Sequence, residues 1–132
     1  MSFAAGIPGV VQLPSQHSVA ATIERLETLL KARGILVFAR IDFSADAARA
    51  GLRMPPQQML IFGNPKAGTP LMLTAPAVGL DLPLKLLAWE GSDGKVWAAY
   101  NDPMYIIQRY RLPAEFTANL AAVAPLIEQA LA

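Results

Sequence analysis

Between Ser18 and Asp42 the hydrophobic period changes once, from helical to alternating, and the change falls on Gly34. Val19, Ile23, Leu26 and Leu30 recur at the spacing of one helix face. Ser18 is placed to cap that helix, because its hydroxyl can accept from an orphan backbone N–H. Glu27 and Lys31 stand four apart on the outer side. Lys31 and Arg33 suit the negative end of the helix dipole, and Gly34 suits a left-handed stop. Ile35 to Asp42 then alternates as a strand, with Ile35, Val37, Ala39 and Ile41 on one face and Leu36, Phe38, Arg40 and Asp42 on the other. Upstream, Val10 to Leu13 lies between two prolines and reads as a short strand. A strand, a helix and a strand joined by short turns predict a right-handed crossover between parallel strands.

The remaining punctuation sets out further elements. SADAARAG reads as one or two helical turns, capped by Ser44 and stopped by Gly51. Gln58 to Phe62 is nearly all apolar and reads as an interior strand. Leu71 to Ala75 is a short helix ending at Pro76. Pro83–Glu90 and Lys95–Tyr100 form a hairpin, with Asp93-Gly94 suited to left-handed turn positions and Trp89 and Trp97 on one side of the ribbon. The apolar PLKLLAW run suggests cover on both faces of its strand. Asp102 and Pro103 suit the N-cap and first position of a helix that ends by Leu112. Phe116, Leu120, Val123, Ile127 and Leu131 have near-helical spacing, broken by Pro125. The expected fold is α+β: a two-layer sandwich, one domain over residues 1–132, with a five-stranded mixed sheet and helices on one face. Its expected order is β-α-β-β-α-β-β-α-α.

The most distinctive stretch is IFGNPKAGTPLM, residues 61–72. Gly63 and Gly68 are five apart, as in a phosphate loop, but Thr69-Pro70 follows where that motif has Lys-Ser/Thr. The lysine is Lys66, inside the loop. What remains is a strand end meeting a helix start, a generic anion-binding geometry. Asn64-Pro65 and Thr69-Pro70 are both cap-then-first-position pairs, which is a purely structural account of the same residues. Pro70 would remove a hydrogen bond from a helix begun at Pro65, so regular helix is expected from Thr69. If the strands run parallel, Asp42, Asn64, Asn101 and Asp102 gather on one sheet edge with Lys66, Gly68 and Thr69. Those seven residues are the candidate ligand set, and capping is the competing explanation for Asp42 and Asp102.

Composition excludes several functions. There is no cysteine, so thiol catalysis and thiolate metal sites are out. The one histidine, His17, supports neither a metal centre nor a triad. Eleven basic residues balance ten acidic ones without clustering, which argues against nucleic-acid binding. No apolar run reaches membrane-spanning length, and the first fifteen residues lack a basic start and contain two prolines, unlike a signal peptide. A soluble, cytoplasmic protein is expected. At 54% apolar and 16% charged, the chain has apolar surface to spare, which a homodimer would cover.

IFGNPKAGTPLM, LDLPLKLLAWE and YNDPMYI, with HSVAATIERLETLLKARGILVFARID before them, resemble the bacterial and archaeal family numbered 302 among domains of unknown function. The resemblance covers residues 10–112, leaving 114–132 as an added C-terminal helix that closes the core or passes to a partner subunit. It implies a small two-layer fold, dimers and no established enzymatic activity. Members often carry histidine where Phe43 follows Asp42, and Asn-Pro where this chain has Ala75-Pro76. The first departure removes an Asp-His pair and a metal ligand. The expected function is therefore non-catalytic. One reading is a site for a small anionic or carboxylate ligand at 63–69; the alternative is a homodimeric structural or interaction module without a ligand. An acid–base enzyme using Asp42 or Asp102 lacks a second catalytic group. No metal and no cofactor are expected.

Overall fold

The computed structural model of the chain describes residues 7–132; the part of the N-terminal segment that precedes them lies outside the described residues. The strands are β1 (Val10–Ser15), β2 (Leu36–Asp42), β3 (Gln57–Gly63), β4 (Leu84–Glu90) and β5 (Val96–Asn101). The helices are α1 (Val19–Ala32), α2 (Phe43–Arg49), α3 (Pro65–Thr74), α4 (Pro103–Arg109), α5 (Thr117–Ala121) and α6 (Ala124–Leu131). Single 3-10 turns cover Pro76–Leu80 and Ala114–Phe116. The α+β architecture and the order of its main elements agree with the sequence reading.

The sheet order is β1-β5-β4-β3-β2, and every neighbouring pair is antiparallel. The sheet is therefore not mixed. The strands flanking α1 do point the same way, but they occupy opposite edges, and β3, β4 and β5 insert between them. Pro14 is tolerated in β1 because an edge strand has one side without ladder partners.

α1 begins and ends as its sequence dictates. Ser18 Oγ accepts from Ala21 N at 3.1 Å. At the other end Gly34 takes φ 72°, Gly34 N–H donates to Lys31 O and Ile35 N–H to Leu30 O, closing a Schellman motif. Ile23, Leu26 and Leu30 are fully buried against Leu60, Phe62, Leu86, Ala88 and Ala98. Each such side chain contributes ~1.5–3 kcal/mol. The exposed Lys31–Glu27 pair, at 2.7 Å, adds only ~0.3–0.5 kcal/mol. Burial therefore sets where α1 sits, and the ion pair only decorates it.

α6 packs on α1 and β1 in the same chain. Its last carbonyls are held from α1: Arg25 Nε donates to Ala130 O at 2.8 Å, and its Nη2 to Gln129 O and Ala132 O. His17 Nε2 lies 2.7 Å from Ala132 O, so the one histidine also serves this helix end. A second core cluster unites Leu71, Val78, Ile106, Ile107, Leu112 and Leu120 from α3, α4, α5 and their connections, and Leu84 touches both clusters.

Three local expectations are corrected. A bulge between Val37 and Ala39 breaks the alternation of β2. Val37 and Arg40 then lie opposite Phe62 and Leu60, on the helix-covered face, while Ala39 lies opposite Ile61 on the other. In α2 the cap is Asp42, not Ser44: Asp42 Oδ1 accepts from Ala45 N at 2.9 Å and from Ser44 Oγ at 2.6 Å. In the β4–β5 turn only Gly94 is left-handed; Gly94 N–H donates to Gly91 O and Gly91 N–H to Lys95 O.

The apolar run of β4 also has an unexpected consequence. Leu86 and Ala88 are buried beneath the helices, but Leu87 and Trp89 point the other way and join neither core cluster. The register puts Met59, Ile61, Trp97 and Ala99 on that same outer face, with Trp89 directly opposite Trp97.

Candidate functional site

The strand-to-helix junction is built from the end of β3. Asn64 is extended, and its Oδ1 accepts from Lys66 N at 3.0 Å, which starts α3 at Pro65. The helix runs through Pro70 without restarting at Thr69. Asn64 O accepts from both Ala67 N and Gly68 N, so the first turn is already hydrogen-bonded before Pro70 is reached. The Thr69-Pro70 pair is thus inside the helix, and the expected later start is corrected.

A cleft of about 230 Å³ opens beside this junction. Gly63, Asn64, Pro65, Ala67, Gly68 and Thr69 form one wall. Met72 continues it along α3, and Leu82, Pro83 and Leu84 lead into β4. Asn119, Leu120 and Val123 close it from α5 and the residues after it, while Ile35, just before β2, and Phe38 within it complete the lining. Asn119 Nδ2 donates to Ala67 O at 3.0 Å and ties α5 to α3 across the cleft. Phe38 lies over Gly63: a Cβ on Gly63 would sit 3.3 Å from Phe38 Cε2. Of the candidate ligand set, Asn64, Gly68 and Thr69 line the cleft. Lys66 is exposed and is not among its walls.

The other candidates are elsewhere. Because β2 and β3 are antiparallel, Leu36 pairs with Gly63 and Asp42 with Gln58, so Asp42 stands at the sheet end opposite Asn64. There Gln58 Nε2 donates to Asp42 Oδ2 at 3.3 Å, and Gln58 Oε1 accepts from Arg40 Nε at 3.1 Å. The Ser44 hydroxyl and the Ala45 N–H hold the Asp42 carboxyl below its ordinary value. That is a stable carboxylate cap, the reverse of a general acid.

Asn101 and Asp102 end β5, which runs parallel to β3 one strand away, so they share the sheet end of Asn64. Asp102 Oδ1 accepts from Met104 N at 3.1 Å and caps α4. Asn101 lines a separate crevice with Asp81, Lys85 and Tyr100, whose volume of about 10 Å³ holds no more than about one water. The predicted convergence of all seven residues therefore does not occur. A wider depression beside His17, Glu90 and Lys95 is a surface dish. Among the described residues no group of three or more His, Asp or Glu side chains could hold a metal.

The walls the sequence reading missed are Met72, at the end of the same motif, and Phe38, Leu82, Asn119, Leu120 and Val123 from segments outside it. None carries chemistry that marks it; only the tertiary packing brings them together.

Two sets of known proteins resemble the chain. It is 50% identical over 104 residues to a Brucella suis protein called "Fluoride-specific ion channel FluC 1", covering 79% of this chain and 41% of that one. A Brucella abortus protein of the same name matches equally, over 38% of its length. The chain thus spans about two-fifths of these curated relatives. The crystal structure of an uncharacterized conserved protein from Bacillus stearothermophilus aligns with a TM-score of 0.76 at 21% identity, covering 95% of this chain and 97% of that one, and so shares its fold. The family model described as "Domain of unknown function DUF302" matches residues 11–132, taking in the C-terminal helices as well as the loop at 61–72. The chain belongs to that family.

Proposed function

We propose that this chain is a non-catalytic domain that binds a small ligand in the cleft beside the strand-to-helix loop 63–69. The observation that supports it is that the chain's most distinctive motif forms one wall of a 230 Å³ cleft. Amide chemical-shift mapping with a broad panel of small molecules tests it. Shifts confined to residues 63–72 and 119–123 are expected; a panel that moves none of them ends the reading. No helix among the described residues is long and apolar enough to cross a membrane.

A second reading is a homodimeric interaction module, favoured by the outer sheet face. Met59, Ile61, Leu87, Trp89 and Trp97 form a contiguous apolar area there, and Lys85 is the one charged residue on its β3–β5 ladder. Such a face on an antiparallel sheet is ordinarily solvated and polar, or covered. A second copy offers a self-complementary apolar cover. Sedimentation tests this reading by itself, and a monomer removes it; the cleft, on a different surface, is compatible with either state.

A further inference from the structure

We infer that the cleft at residues 63–69 selects a neutral, mostly apolar molecule of roughly eight to ten non-hydrogen atoms, and rejects anions. The inference rests on the ligand-site reading above and names its ligand class. No ionisable side chain is among the walls of the cleft. Lys66, the one cation in the loop, is exposed outside it. Lys85 is also not a wall, and its ammonium donates to Pro83 O at 2.9 Å. A carboxylate placed at the inner wall against Leu82, Leu120 and Val123, beneath the exposed Phe38 and Met72, would shed water without gaining a counter-charge, which is penalised.

The hydrogen-bonding side chains available are neutral: Asn64, Thr69 and Asn119. Asn64 Oδ1 and Asn119 Nδ2 already serve the backbone, so few polar groups remain for a ligand. One hydroxyl or amide is about what they can satisfy. Size follows from volume. An enclosed apolar cavity of about 150 Å³ holds benzene, so this cleft of about 230 Å³, open past Phe38 and Met72, shelters one ring with a short substituent, or a chain of similar bulk. Met72 lets the wall adapt to either shape.

Gly68 supplies the means of testing this. A Cβ added there would meet Leu82 Cδ1 at 3.8 Å and Met72 Cε at 3.9 Å, which is ordinary contact. Gly68→Ala is therefore compatible with the fold, and Gly68→Leu fills the cleft from a helical position that favours leucine over glycine.

The experiment titrates the whole chain at neutral pH with matched pairs, benzyl alcohol against benzoate and 1-heptanol against heptanoate, with phosphate and fluoride alongside. Amide shifts and calorimetry are the readouts. The alcohols are expected to shift residues lining the cleft and to bind at least about tenfold more tightly than their carboxylates. Gly68→Leu should abolish that binding, and Lys66→Ala should leave it unchanged. Carboxylates or inorganic anions that bind the cleft as well as the alcohols overturn the neutral class but leave the ligand site standing. Alcohols that move no cleft resonance in the wild-type chain overturn the inference. If the anions and the wider panel move none either, the site reading falls as well. The wild-type map decides these outcomes even where the leucine variant does not fold.

Discussion

Gly9 and Gly34 both hold left-handed backbone, at φ 74° and 72°, yet they should respond differently to alanine. Around Gly34 a Cβ would meet nothing within 4 Å, so Gly34→Ala loses only the ~1–2 kcal/mol of backbone strain. At Gly9 the added carbon would run into the ring of Tyr105, and Gly9 O also accepts from Asp102 N at 2.7 Å. Gly9→Ala is therefore expected to lower Tm well beyond Gly34→Ala; equal losses in paired thermal melts would refute the close approach. Arg111 makes the converse case. It occupies the left-handed position after α4 at φ 55°, with Leu112 N–H donating to Ile107 O. Arg111→Gly should raise stability by up to ~1 kcal/mol, measured by denaturant midpoint. Gly34 was legible in the sequence because glycine follows a helical pattern there. Arg111 was not, because no property of arginine marks a left-handed site.

At the level of elements, helix starts depend on single side chains. Asp42→Ala should cost ~0.5–2 kcal/mol through loss of the α2 cap. The same carboxyl carries a pH dependence. Its folded value lies below 3.8 because Ser44 Oγ and Ala45 N–H bond the ionised form. The stabilisation is thus complete above 3.8 and is lost as pH falls through the lower folded value. A carboxyl NMR titration should place the Asp42 midpoint below 3.8, and Ser44→Ala should raise it; an unmoved midpoint would contradict the hydroxyl's part. α1 was readable end to end because Ser18, its apolar stripe and Gly34 all agree. β2 was misread because a bulge at Val37–Ala39 leaves no composition signal, and the slip sends Arg40 to the covered side. There it finds Gln58 and, at 2.9 Å, Glu24 on α1. The start of α3 was misread because Pro70 looked like a breaker, whereas the turn before it was already closed by Asn64 O.

For the molecule as a whole, the outer sheet face carries the next prediction. If a second copy covers it, wild-type protein sediments as a dimer at about tens of micromolar. Leu87→Arg then yields a monomer that still folds, because Leu87 belongs to neither core cluster. A wild-type monomer at that concentration removes the dimer reading. Strand order was the part of the fold least visible in sequence. Pairing between β1 and β5, from Val10↔Asn101 to Ser15↔Val96, has no local signature, and neither has the antiparallel β2–β3 pairing that puts Asp42 and Asn64 at opposite sheet ends. That same order governs how the chain can assemble during synthesis. β1, α1 and β2 emerge first, yet they form no strand pair among themselves. β2 gains a partner only when residues 57–63 follow, and β1 remains unpaired until residue 101 has been made. Residues 96–101 must be made before β1 can join the sheet, so a chain stalled before that point holds an open β5 position beside β1.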